Sequence, residues 1–328
     1  MYIRQVLKEN SNRWIDFLKL VFTCIMVVII TFIFSIPHAL AIFKKMLEDA
    51  GADLNSFESI MTFFPKIVER LDTMDVADQL SILEPNLNLF LMLLGFCGML
   101  LTVIICNKYV NGNSFLSLTT SRSKIDFSRI FFSFGLWSTI SVVMIILGYF
   151  LSPESYILNF NLIPFLILFL IVLLLIPIQT SAEEYVFRGY IIQNLGIITR
   201  NRWFPLIVSS LIFGIIHGQN PEIEKFGGVV FIFYIGSGLF AGIMTLMDEG
   251  IELALGWHAA NNMTIALLVT ADWTALQTDS ILKDISNPDS LPLSEVLIPV
   301  LVFFPLVLYI FSKKYGWKDW SEKLVGKI

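Results

Sequence analysis

The residues able to do chemistry in this chain fall into three short groups. Glu183-Glu184-Tyr185-Val186-Phe187-Arg188 places two carboxylates and a guanidinium just after a run, Ile163 to Ile178, made almost entirely of Leu, Ile, Val and Phe. Phe213-Gly214-Ile215-Ile216-His217 and His258-Ala259-Ala260-Asn261-Asn262 hold the two histidines downstream of it, both in apolar segments. Ionisable groups at membrane depth are costly and mark function by default. A carboxylate and an imidazole together can take a proton from water. Imidazole and amide N–H groups can hold the negative charge that a carbonyl develops under attack. The chemistry open to this set is hydrolysis of an amide.

Spacing sorts the groups further. On a helix Glu184 and Arg188 are i,i+4 and share a face, so they can pair. Glu183 is turned about 100° from Glu184 and is left free to act. Phe213 and His217 are also i,i+4, as are His258 and Asn262. Singly, each group fits something plainer: a solvated helix end, or a histidine or asparagine bonded to a neighbouring helix. Three such groups on three helices, in a chain this poor in polar residues, point to one site.

In this order, Glu-Glu-x-x-x-Arg, Phe-x-x-x-His and His-x-x-x-Asn resemble the motifs of the CPBP intramembrane proteases. That family includes type II CAAX prenyl endopeptidases and bacterial abortive-infection or bacteriocin-immunity relatives. The resemblance covers roughly residues 130 to 270, so it carries over no substrate. It implies that Glu183 and His217 position and activate a water, and that His258 and Asn262 donate to the oxyanion. It further implies that Glu184 and Arg188 hold the first motif in shape, and that Phe213 packs beside His217. Glu183, His217 and His258 would also make a His₂Glu zinc set with an open position. The chain has no His-Glu-x-x-His, however, and the family is described as working without bound metal. The expectation is therefore metal-free, with zinc as the alternative.

The elements that must position these residues are membrane helices. The chain has 328 residues, 56% hydrophobic and only 15% charged, where a soluble domain carries about a quarter charged. Eight candidate apolar runs for crossing a bilayer lie near Leu20–Ile42, Leu87–Cys106, Ile130–Leu151, Leu158–Pro177, Trp203–Ile216, Val229–Met247, Leu253–Val269 and Val296–Phe311, the fifth and eighth of them short. This predicts an all-α polytopic protein with about eight transmembrane helices. With the N-terminus inside, 16 of the 22 lysines and arginines fall on inner segments, so both termini are expected to be cytoplasmic. The Glu183–Arg188 group is then expected at or just inside a bilayer boundary. Counting residues sets His217 and His258 at different heights, which calls for tilt or a helix break near Pro177.

Residues 1–86 read as an anchor helix followed by an acidic outer loop, and residues 87–328 as the protease core. The first apolar run follows basic residues and ends near Ala39-Leu40-Ala41. It is too long for a signal-peptide core of about 7–15 residues, so it reads as a retained anchor. His38, at its outer end, reads as a solvated or capping group. The loop, 43–86, has helical apolar spacing at Ile60, Phe63, Phe64, Ile67, Val68 and Leu71, broken by Pro65, and forms either a cap or a lid. Gly236, Gly238 and Gly242 suggest close helix packing against the motif-bearing helices. Cys24, Cys97 and Cys106 lie in apolar runs without metal spacing and read as packing residues. The expected partners are a peptide or protein entering from the membrane or the cytoplasm, and the lipid of a bacterial or archaeal cell membrane; no patch suits a nucleic acid. The competing function is a non-catalytic membrane module, an immunity factor or transporter, binding through the same polar cluster. A transporter would show pseudo-symmetric halves, whereas here every motif residue lies between 183 and 262.

Overall fold

A computed structural model describes residues 1–9, 12–287 and 293–328. The first helix, α1, runs from Arg13 to Asp49. Asn12 caps it, accepting from the Trp14 N–H at 3.0 Å. Next come α2 (Phe57–Thr73), α3 (Val76–Leu80), α4 (Pro85–Tyr109), α5 (Phe115–Thr119) and α6 (Phe127–Leu151). The centre of the chain forms α7 (Leu162–Glu184), a π-helical stretch over Tyr185–Ile191, α8 (Ile192–Thr199), α9 (Trp203–Ile216), α10 (Pro221–Phe226), α11 (Val230–Asp248) and α12 (Glu252–Leu268). The last helices are α13 (Ser294–Ile298), α14 (Phe304–Tyr315) and α15 (Trp320–Val325).

Among the described residues, six helices are long and apolar enough to cross a membrane: Arg13–Asp49, Pro85–Tyr109, Phe127–Leu151, Leu162–Thr199, Pro221–Asp248 and Ser294–Tyr315. Trp203–Gln219 is a shorter apolar helix. Large apolar side chains face outward along these helices, for example Phe32 at 72% and Leu174 at 63% exposure. In water that surface would be prohibitive; in hydrocarbon it is at rest. The chain is an all-α, multi-pass integral membrane protein.

Helix packing is set by small residues. A Cβ on Gly256 would collide with the backbone carbonyl of Ile130, so α12 lies directly against α6. Added Cβ atoms on Gly238 and Gly242 would strike Ser210 and Leu206, which brings α11 onto α9. The interior holds two aromatic clusters. One gathers Tyr185, Phe187, Tyr190 and Phe213; the other gathers Trp137, Phe240, Trp257, Phe304 and Phe311.

Several local readings are corrected. Pro65 does not break its helix: α2 passes through it. The proline lies on the exposed face, where the carbonyl it strands is not buried in the protein. His38 is not a cap; its Nε2 lies 2.7 Å from Asn88 Oδ1 and ties α1 to α4. α7 likewise continues through Pro177, without a break, into the π-helical stretch. The helix is thus continuous from Leu162 to Thr199, and the Glu183–Arg188 group lies inside it rather than at its end.

That continuity resolves the mismatch in heights. Glu183 stands 16 residues above Thr199, about 24 Å, and His217 stands 14 above Trp203, about 21 Å. The two rise from one turn and reach similar levels. His258 is only about 9 Å from the start of α12, but α12 itself begins inside the protein, with Glu252 fully buried.

The loops after α6 and α12 add a small three-stranded sheet that helical periodicity does not signal. β1 (Tyr156–Leu158) pairs antiparallel with β3 (Leu282–Asp284), and β3 pairs parallel with β2 (Val269–Ala271). Backbone groups that leave a helix end must find partners, and here two loops supply each other's. The acidic segment packs α2 on the end of α1 through Ile67, Met46 and Leu47. From α3, Asp75 reaches Lys225 at 3.4 Å, and the Ala77 carbonyl accepts from Gln277 at 3.1 Å.

Candidate active site

The seven residues singled out by the motifs converge. Glu183 (4% exposed), Glu184 and Arg188 (both 0%) come from the α7 end and the π-helical stretch. Phe213 and His217 come from the C-terminal end of α9, and His258 and Asn262 from α12. π-Helical turns inside a helix occur disproportionately at functional sites, and this one begins directly after the two glutamates.

Arg188 Nη1 lies 3.3 Å from Glu184 Oε1, the expected i,i+4 pair. The same oxygen is 2.8 Å from His258 Nδ1, so Glu184 joins two helices as well as pairing within its own. Arg188 also donates to the Gly238 carbonyl at 3.4 Å, and its guanidinium sits 4.1 Å from the Phe213 ring centre. Phe213 in turn touches both histidine rings, with centroids 4.6 Å from His217 and 6.1 Å from His258.

The two imidazoles are oriented by different acceptors. His217 Nδ1 is 2.6 Å from the Phe213 carbonyl. A carbonyl only accepts, so Nδ1 holds the proton and Nε2 is a free lone pair in the neutral ring. The ring is further clamped by Tyr234, stacked at 4.5 Å with a 23° interplanar angle. Tyr234 accepts from Asn220 Nδ2 at 2.9 Å. For His258, Nδ1 faces the Glu184 carboxylate, which leaves Nε2 pointing at Glu183 Oε2, 3.6 Å away.

Glu183 is held on one side only. Its Oε1 accepts from Gln179 Nε2 at 2.8 Å, while Oε2 is buried without a hydrogen-bond partner among the described residues. Gln179 Oε1 accepts from Asn262 Nδ2 at 2.9 Å. Sequence reasoning passed over Gln179, Tyr234 and the Asn261–Trp137 contact. Gln179 alone left a local signal: it stands i,i+4 before Glu183, the spacing at which side chains on one helix meet. Among the described residues no three His, Cys, Asp or Glu side chains gather as a metal-binding cluster.

A family model described as "Type II CAAX prenyl endopeptidase Rce1-like" matches residues 162–264. The uncharacterized protein YyaK of Bacillus subtilis (strain 168) is 31% identical over 208 residues, covering 63% of this chain and 69% of that protein. The chain belongs to the Rce1-like family. The span matched by the family model is narrower than the 130–270 suggested by the motifs, but it contains all seven motif residues and Gln179. No solved structure matches the chain. Rce1-like proteins form a family of peptidases. That assignment is at the level of the family; the roles of individual side chains rest on the geometry above.

Proposed function

We propose that this chain is an intramembrane endopeptidase in which Glu183 is the general base. The observation that carries this reading is the buried Oε2 of Glu183, which has no hydrogen bond among the described residues and faces His258 Nε2 at 3.6 Å. A water held between Glu183 Oε2 and His217 Nε2 gives its proton to the carboxylate as its oxygen bonds to the scissile carbonyl carbon. The carbonyl oxygen becomes an oxyanion, received by Asn262 Nδ2–H and His258 Nε2–H. Collapse breaks the C–N bond, and the leaving amine takes the proton back from Glu183. His258, whose Nδ1 faces a carboxylate, is the ring suited to hold both protons and donate. His217, whose Nδ1 faces a neutral carbonyl, is suited to accept.

This reading needs no metal. In a screen of fluorescence-quenched peptides, farnesylated and unmodified, purified protein dialysed against a strong chelator is expected to cleave as fast as undialysed protein. Activity lost on dialysis and restored with stoichiometric zinc would replace the mechanism with a zinc-based one.

Support for the orientation comes from the lysine and arginine bias, 15 of the other 21 on inner segments once buried Arg188 is set aside. We place both termini in the cytoplasm of a bacterial cell, with eight crossings that include α9 and α12. In a variant lacking the three native cysteines, Ser123→Cys is expected to react with an impermeant thiol reagent only from the cytoplasmic side. Asn55→Cys should react only from outside. Reaction of both from one side would refute the topology.

A further inference from the structure

One feature of the site belongs to no motif. Four hydrogen bonds run in series from α6 to Glu183. Trp137 Nε1 donates to Asn261 Oδ1 at 3.1 Å. Asn261 Nδ2 donates to Asn262 Oδ1 at 3.1 Å. Asn262 Nδ2 donates to Gln179 Oε1 at 2.9 Å, and Gln179 Nε2 donates to Glu183 Oε1 at 2.8 Å.

Amide side chains can usually be turned end for end, but these cannot. An indole nitrogen only donates, so Asn261 must present its oxygen to Trp137. An ionised carboxylate only accepts, so Gln179 must present its nitrogen to Glu183. With both ends fixed, each amide between them has one allowed orientation. Gln179, itself buried, is the last link.

We infer that Gln179 is a positioning residue that selects which oxygen of Glu183 does the chemistry. Oε1 is committed as an acceptor, and Gln179 has no lone pair facing it that could take a proton on. That leaves Oε2, the atom directed at His258 and without a hydrogen bond among the described residues, as the less encumbered oxygen to receive the proton from water. Gln179 also fixes the carboxylate plane, which otherwise turns freely about its terminal torsion. Asn262 keeps a second N–H for an oxyanion, because an amide nitrogen bears two hydrogens and Gln179 takes one. One residue thus sets both the base and the oxyanion donor in register.

This inference rests on Glu183 being the base, and the test separates the two. Gln179→Met keeps the bulk but removes both polar contacts. Gln179→Glu keeps an acceptor for Asn262 but loses the amide donor to Glu183. Each is assayed with the best-cleaved quenched peptide, per folded molecule, beside Glu183→Gln and a thermal melt. Gln179→Met is expected to lower kcat by about tenfold to a hundredfold, the scale of a misplaced catalytic group. KM should stay within about twofold and the melting temperature should be close to that of the parent. Gln179→Glu should fail to restore kcat, since the lost donor is what matters. Unchanged kcat in Gln179→Met, with or without a lower melting temperature, while Glu183→Gln is inactive, would make Gln179 merely structural and overturn the inference alone. Parental activity in Glu183→Gln would overturn the reading beneath it.

Discussion

Glu183→Gln is expected to lose cleavage by about 10²–10⁴-fold, the usual contribution of a general base, while folding as well as the parent. The substitution leaves Oε1 as an acceptor for Gln179 and changes Oε2, which has no hydrogen-bond partner among the described residues. It also removes one of two adjacent buried carboxylates, and the relief of their mutual repulsion offsets the loss of the 3.6 Å approach to His258 Nε2. Activity should therefore fall while stability stays close to that of the parent. The measurements are initial rate per folded molecule and the detergent melting curve. A fully active variant would remove Glu183 from the chemistry.

Glu184→Gln is expected to act chiefly on the fold. Among the described residues its carboxylate is the one in salt-bridge contact with the fully buried Arg188. Breaking one side of a buried pair costs on the order of 3–5 kcal/mol, and the Gly238 carbonyl and Phe213 ring are weak substitutes. The melting temperature and folded yield should drop sharply. The surviving folded molecules should be impaired as well, because His258 Nδ1 loses the carboxylate that orients it. Removing both partners, as Glu184→Gln with Arg188→Leu, should recover part of the stability. A Glu184→Gln protein as stable as the parent would show that Arg188 does not depend on this pair. If Glu183→Gln then proved to be the unstable one, the two glutamates would exchange roles.

What lay within one helix was legible in the sequence. The Glu184–Arg188 pair, the Phe213–His217 contact and the shared face of His258 and Asn262 each follow from i,i+4 spacing, and the apolar runs located the helices. The i,i+4 reading captures only part of what Glu184 touches, since Glu184 reaches His258 across 74 residues of sequence. Contacts of that kind, like Tyr234 against His217 or Trp137 against Asn261, depend on which helices become neighbours, and periodicity does not encode it. Local proline rules misled at Pro65 and Pro177. On an exposed face or within tight helix packing the lost hydrogen bond is tolerated, and the helix goes on.

The burial of the start of α12 bears on how the protein is made. Glu252–Leu268 is not among the helices apolar enough to cross a bilayer by composition, for it contains Glu252, His258, Asn261 and Asn262. Charged or strongly polar residues near the centre of a segment oppose its release into lipid by about 2.5–3.5 kcal/mol for the most costly types. What α12 lacks in apolar character it finds in protein. Glu252 meets Arg122 at 3.2 Å, His258 meets Glu184, Asn262 meets Gln179, and Gly256 seats the backbone on α6. Those partners precede it in the chain. During synthesis α12 is thus a client of helices already in the membrane, and the residues that would hinder its insertion are the same ones that complete the site.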